Sequence, residues 1–166
     1  VGSVAYGTFE TADWMSFAPE KGHPSAFSRA GLGIWDSIKP EVVEYGGDCL
    51  RTAGNAPTVD TPQVGRDCYP ELVRSTRNAG PAFDRDEVGT SYAAPKVTKI
   101  AARLQTLLPE ESCLLYRALI VQSAHWPEWT AALPREERAN VLRRLGYGIA
   151  DMARATTNTD FRTTFI

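Results

Sequence analysis

A serine placed directly ahead of a long amphipathic stretch constrains this chain more than any other feature. Gly89-Thr90-Ser91-Tyr92-Ala93-Ala94-Pro95 runs into Val97, Ile100, Ala101, Leu104, Leu107 and Leu108, apolar positions at helical spacing over more than two turns. The spacing predicts a helix that begins at the serine. Gly89, two residues earlier, permits a tight backbone and close approach. The two alanines keep the first turn slim, and Pro95 is expected within that turn, where an early helical residue has no N–H bond to lose. A helix starting at this point leaves unpaired N–H groups aimed near the Ser91 hydroxyl, and such donors can hold a developing oxyanion. Taken alone, the same local feature also describes an ordinary N-cap serine.

The rest of the pattern is read around that helix. Pro109 interrupts it, and Leu114, Leu115, Ala118, Leu119 and Val121 resume the helical spacing, with Glu110 and Glu111 near the positive amino end. A third helix is predicted from Pro134 in its first turn, the stripe Val141, Leu142 and Leu145, and Gly146 just past its end. Asp151 opens a short fourth through Ala155. Strands are expected in the apolar run at the start, over Pro40–Tyr45 ahead of Gly46-Gly47, and in the alternating Phe161–Phe165. Residues 7–33 read mostly as loop. Asp48 to Val88 is polar, carries Pro57, Pro62, Pro70 and Pro81, and reads as one long surface loop.

Composition narrows the function. With 43% hydrophobic residues in 166, one globular domain can bury a sizeable core. A net charge of -2 offers no broad basic surface for a phosphate backbone, so nucleic acid is not expected as a partner. The longest apolar runs, such as Leu119-Ile120-Val121, fall far short of the roughly 20 residues a membrane helix needs, so no membrane partner is expected either. The three cysteines, Cys49, Cys68 and Cys113, are too few and too widely spaced for a disulfide scaffold or a zinc site. Reduced thiols are expected, which leans toward a cytoplasmic, reducing compartment, with a Cys49–Cys68 bridge as the alternative. The chain opens Val1-Gly2-Ser3-Val4-Ala5, without an initiator Met or a signal-peptide pattern, and is read as a fragment.

The complete heptad carries more than its local geometry, because Gly-Thr-Ser-x-Ala-x-Pro resembles the nucleophile signature of the subtilisin-like serine proteases. Ser25-Ala26-Phe27-Ser28-Arg29-Ala30-Gly31 resembles that family's serine-rich, phenylalanine-centred segment. Ile38-Lys39-Pro40-Glu41-Val42-Val43 is similar to its Lys-Pro-Asp-Val-Val strand, and Val1-Gly2-Ser3-Val4 to its earlier Val-Gly-Ala-Val strand. Gly146-Tyr147-Gly148-Ile149-Ala150-Asp151 resembles the closing Gly-x-Gly segment. The landmarks stand in the family's order across nearly the whole chain. The resemblance implies an α/β fold of three layers, a mainly parallel sheet flanked by helices, of which this chain supplies the later strands, the nucleophile helix and the closing helices. It implies a serine-type endopeptidase acting on polypeptide substrates, with Ser91 as nucleophile and its backbone N–H toward the oxyanion. Gly89, Thr90 and Tyr92 then border the substrate. Tyr92 stands where methionine is common, and Glu44-Tyr45-Gly46 where Ala-Pro-Gly is common.

A free alcohol is a weak nucleophile, and acyl transfer needs an imidazole to take its proton and a carboxylate to orient that imidazole. In the family the order is Asp, His, Ser, so the resemblance places the Asp, the His and the oxyanion Asn upstream of residue 1, in a part of the same catalytic domain that completes this one. The isolated chain is then inactive. Asp13 and His23 reproduce the order with Ser91, but Ala-Asp-Trp-Met and Gly-His-Pro are not the family's contexts, and both residues read as surface groups. His125, among Trp126, Pro127 and Trp129, reads as a packing or turn residue, and Ala53-Gly54-Asn55 as a polar loop. Asp84, Asp86 and Glu87 read as solvated carboxylates, and the four tryptophans as core and edge packing. No cofactor is required, although calcium stabilises many relatives of the family and could do so in the full-length protein. The alternatives are a pseudoprotease or regulatory interaction module that keeps the fold, and a site completed by a separate chain.

Overall fold

Helices form where the apolar spacing is strongest. The computed structural model describes residues 1–54, 63–64, 72–73 and 86–157. Its strands are β1 (Gly2–Val4), β2 (Trp14–Ser16), β3 (Val43–Tyr45) and β4 (Leu50–Thr52), and its α-helices are α1 (Thr90–Leu107), α2 (Cys113–Ser123), α3 (Arg138–Leu145) and α4 (Met152–Thr156). Short 3₁₀ turns occupy Ile34–Asp36, Glu128–Ala132 and Arg135–Glu137. The chain divides into two units: Val1–Gly2, Ala30–Glu44 and Ala94–Ile166 form one, Ser3–Arg29 and Tyr45–Ala93 the other. The alternating Phe161–Phe165 segment lies outside the described residues.

The first unit holds a hydrophobic core. Val97, Ile100 and Leu104 present one face of α1 and pack with Val42, Leu119, Ile120, Ala150 and Ala155. Burying a side chain of this size contributes about 1.5–3 kcal/mol. Pro109 separates α1 from α2, whose start is capped by the Ser112 side chain accepting from Leu115 N–H. Asp151 caps α4 in the same way, its carboxylate accepting from Arg154 N–H at 2.7 Å. Pro134 precedes the 3₁₀ turn Arg135–Glu137 and so lies ahead of α3 instead of in its first turn. Gly146 ends α3 with φ 57, a conformation that favours glycine, and a Cβ there would meet the Pro40 and Glu41 carbonyls.

That stop turns the chain back along β3. Tyr147 N–H donates to Glu41 O at 2.7 Å, Val43 N–H donates to Gly148 O at 2.9 Å, and Val43 and Ile149 form a parallel bridge. Ile149 pairs in turn with His125 in antiparallel sense through bonds of 2.9 and 3.0 Å. On the other side β3 pairs with β1. Gly2 N–H donates to Val42 O, and farther along the same two strands Gly46 N–H donates to Val4 O, so the residue numbers rise together and the pair is parallel. The fold is thus a mixture of helices and a small, largely parallel sheet.

The second unit is built around β1 and a hairpin-like pair. β2 and β4 run antiparallel with Trp14 opposite Thr52, Met15 opposite Arg51 and Ser16 opposite Leu50. The free edge of β1 is taken by the segment around Pro24, with Ala5 N–H donating to His23 O and Ser25 N–H to Ser3 O. Here the reading of Asp48–Val88 as one polar surface loop changes. Its opening is interior: Asp48 is 1% and Leu50 2% exposed, and β4 lies within it. Alternation over three residues is too short a signal to mark such a strand. Trp35 differs as well, being 96% exposed at φ 54 beside the exposed Ile34, so it does not pack in a core. Among the described residues, no helix is long and apolar enough to cross a membrane.

Candidate active site

Ser91 is exposed at the second position of α1, which starts at Thr90, one residue earlier than the spacing suggested. Its backbone N–H is therefore among the first four, which have no intrahelical acceptor. No acidic residue stands in that first turn to offset the positive helix end. Ala93 is completely buried two residues on, so the turn is seated by its alanine while the serine faces solvent. Thr90 and Tyr92 are half-buried on either side. Pro95 is the sixth residue of α1, not a member of the first turn. The donor it lacks is the one that would reach the Ser91 carbonyl, four residues back, so that carbonyl is outside the helical ladder.

The turn is tied to the end of the parallel pair. Gly89 N–H donates to Gly46 O at 2.7 Å, and Gly89 O accepts from Tyr92 N–H at 3.0 Å. Gly89 has φ +154, open to glycine and strained for other residues. Gly46 is a glycine for a different reason: a Cβ there would strike Ser3 Oγ and sit 2.5 Å from Gly89 O. Ser91 accordingly follows the carboxyl ends of β1 and β3, the edge at which open parallel sheets place their ligands.

Behind Gly46 lies a buried polar network. Ser3 N–H donates to Ser28 Oγ at 2.9 Å, Ser25 Oγ donates to Gly47 O at 2.6 Å, and the Ser3 and Ser25 hydroxyls are 2.8 Å apart. Since Ser25 commits its proton to Gly47, Ser3 must be the donor between the hydroxyls. Asp48 holds the next turn, one carboxylate oxygen accepting from Ala18 N–H at 2.7 Å and the other from Ala26 N–H at 2.8 Å. Burial pushes its carboxyl above the usual range, against the pull of backbone donors from Ala26, Ala18 and Cys49. Two faint signals of this arrangement stand in the chain: the pair Gly46-Gly47, and an aspartate followed at once by Cys49 and Leu50.

The other candidates fall elsewhere. Asp13 is exposed, and its carbonyl accepts from Ala53 N–H at 2.8 Å. His23 is half-buried with Nε2 3.3 Å from Glu20 Oε1. Among the described residues, no hydrogen bond joins Ser91 to His23 or Asp13. His125 belongs to the other unit, where its backbone pairs with Ile149, and the neighbouring Trp126 indole donates to Gly146 O at 2.8 Å. Asp86 is 5% exposed, so it is not the solvated carboxylate its polar surroundings suggested. Asp84 and Asn55 lie outside the described residues. Among the described residues, no group of three or more His, Cys, Asp or Glu side chains is gathered to hold a metal. Cys49 and Cys113 are free thiols.

A site of this kind offers an accessible hydroxyl and oriented N–H groups and, among the described residues, no proton acceptor bonded to the hydroxyl. The sequence profile described as the subtilase family matches residues 1–148. The chain is also 29% identical over 176 aligned positions to the uncharacterized protein y4bN of Sinorhizobium fredii, an alignment that covers 99% of this chain and 39% of that protein. This chain thus spans well under half the length of that relative. No solved structure matches.

Proposed function

Since the chain belongs to the subtilase family, we propose that it is the carboxy-terminal part of a serine endopeptidase domain and that Ser91 is the nucleophile. One observation carries the reading: the Ser91 hydroxyl is exposed on the first turn of α1, and that turn is strapped by Gly89 N–H to the carboxyl end of the parallel pair. On this reading Ser91 Oγ attacks the carbonyl of a polypeptide bound along Gly89, Thr90 and Tyr92. The Ser91 N–H, unpaired at the helix start, faces the oxyanion as it forms. The hydroxyl proton passes to an imidazole that residues 1–166 do not supply in the family's sequence context. That histidine, its aspartate and a side-chain oxyanion donor belong to the part of the full-length protein that completes a three-layer domain around this one. The 48–88 connection, longer than the family's usual one, adds β4 beside β2.

Loss of the serine or histidine costs about 10⁶-fold in kcat, a magnitude known from subtilisin itself, so the 166-residue chain alone is inactive. The test is a fluorophosphonate probe applied to the full-length protein, to its Ser91→Ala variant and to the 166-residue chain. Labelling of the full-length protein alone is the expected result. A well-folded full-length protein that takes up no probe would replace this reading with a pseudoprotease or regulatory module. Strong labelling of the short chain would return His23 or His125 to the mechanism.

A further inference from the structure

Tyr6 and Tyr45 stand side by side two residues past β1 and at the end of β3, their ring centroids 5.2 Å apart and nearly perpendicular at 83°. The Lys21 ammonium lies 4.9 Å from the Tyr6 centroid and 5.4 Å from that of Tyr45. Ring faces attract a cation but carry no net charge with which to neutralise it. Among the described residues, no carboxylate forms an ion pair with Lys21: its neighbour Glu20 is turned to His23 instead. Lys21 and Tyr6 are both exposed, Tyr6 to 55%. The result is a positive charge held in place by two aromatic walls, with its outer side open.

Its location gives it a use. Tyr45 leads directly into Gly46, whose carbonyl holds Gly89, and Ser91 follows two residues later. The Cα-to-Cα path from Tyr45 through the Gly46–Gly89 hydrogen bond to Ser91 is at most about 18 Å, which an extended peptide covers in about five or six residues at roughly 3.3 Å each. We propose that Tyr6, Lys21 and Tyr45 form an accessory subsite for an acidic side chain of the polypeptide bound at Ser91. This rests on the reading of Ser91 as the substrate-facing residue and adds a substrate class to it. The carboxylate meets the Lys21 ammonium on its solvent side, and the adjoining peptide lies against the tyrosine rings. The preference is electrostatic and partly exposed, so it is modest and falls with salt.

Binding separates this inference from the catalytic one. Full-length protein carrying Ser91→Ala is titrated, by fluorescence anisotropy, with labelled decapeptides in which a single Glu or Gln is moved through every position. At one or more positions the Glu peptide binds about fivefold more tightly than its Gln counterpart, a difference within the range of a favourable exposed ion pair. Lys21→Met abolishes the difference, Lys21→Glu inverts it, and raising the salt shrinks it. Equal affinities at all positions, or a Glu preference untouched by both Lys21 variants, overturn the subsite. So does tighter binding of lysine-containing peptides to Lys21→Met, which would mark the rings as a cage for a substrate cation that Lys21 plugs. Fluorophosphonate labelling of the parent reads the other claim separately. A labelled parent with no Lys21 effect sinks this inference alone, and a Lys21-dependent preference in an unlabelled parent leaves acidic recognition standing without hydrolysis.

Discussion

Gly46→Ala is the substitution from which the architecture of the site makes its strongest demand. The added methyl would meet Ser3 Oγ and lie 2.5 Å from Gly89 O and 3.2 Å from Gly89 C. Two of these are backbone atoms, which cannot swing aside as the end of a flexible side chain can. Overpacking of this kind costs about 1–3 kcal/mol. Displacing Gly89 also forfeits its hydrogen bond to Gly46 O, worth about 1 kcal/mol. The expected destabilisation is therefore about 2–4 kcal/mol, read as a fall of about 1–2 M in the urea midpoint for m near 2 kcal/mol/M. Gly54→Ala is the control, because φ there is +79 and nothing lies within 4 Å of the new Cβ. It pays only the backbone term, about 1 kcal/mol. Ser3→Ala combined with Gly46→Ala relieves the hydroxyl collision and leaves the carbonyl one, so it recovers less than half of the loss. Hydrogen exchange at the Gly89 amide gives a local readout, accelerating at least tenfold in Gly46→Ala. A variant within 0.5 kcal/mol of the parent, with Gly89 still protected, would refute the close approach of β3 to the turn that carries Ser91.

Asp48→Asn replaces one of two accepting oxygens with an NH₂ that faces a backbone N–H, and should cost about 1–3 kcal/mol near neutral pH. Because burial raises the Asp48 pKa in the folded state, its stabilising contribution is fullest below the ordinary carboxylate value and is lost as pH rises through the folded one. The gap in Tm between parent and variant should narrow with rising pH over that window; a widening gap contradicts the assignment. Cysteine labelling tests the burial more simply. The Cys49 thiol is pushed up to about 11 by burial and the neighbouring Asp48 charge, whereas Cys113 is exposed. Iodoacetamide at pH 8 should modify Cys113 promptly and Cys49 only after denaturation, and equal rates by peptide mapping would count against the buried site.

What could be read in advance follows from where each signal resides. α1, α2, α3 and α4 announce themselves because a helix buries a stripe of its own residues, and Val97, Ile100 and Leu104 carry that stripe whatever they pack against. β4 does not, since three residues cannot display alternation and its partner β2 is distant in sequence. Asp48 looks like the first residue of a polar loop until the backbone of residues 18 and 26 comes to meet it. Trp35 is the converse case, an aromatic whose composition says core and whose left-handed backbone sets it in solvent. At the candidate site, the start of α1 within the heptad around Ser91 was legible because the small residues and the apolar stripe that mark it are local. The strap from Gly89 to Gly46 was not, since a hydrogen bond between two glycines leaves no mark on either side chain. The role of Tyr6 beside Tyr45 was equally hidden, being produced by the parallel register of β1 and β3.

Pro95 gives Ser91 an asymmetric footing. On its amino side, Ser91 inherits the fixed position of Gly89, which the Gly46 carbonyl pins. On its carboxyl side, the proline withholds the single rung that would lock the serine's carbonyl to the turn above. The peptide unit that leaves Ser91 is therefore held through its Tyr92 N–H, which donates to Gly89 O, and not through an i, i+4 rung at its carbonyl. Ser91 is thereby mounted like a gate, hung firmly from one post and held by a single latch at the other.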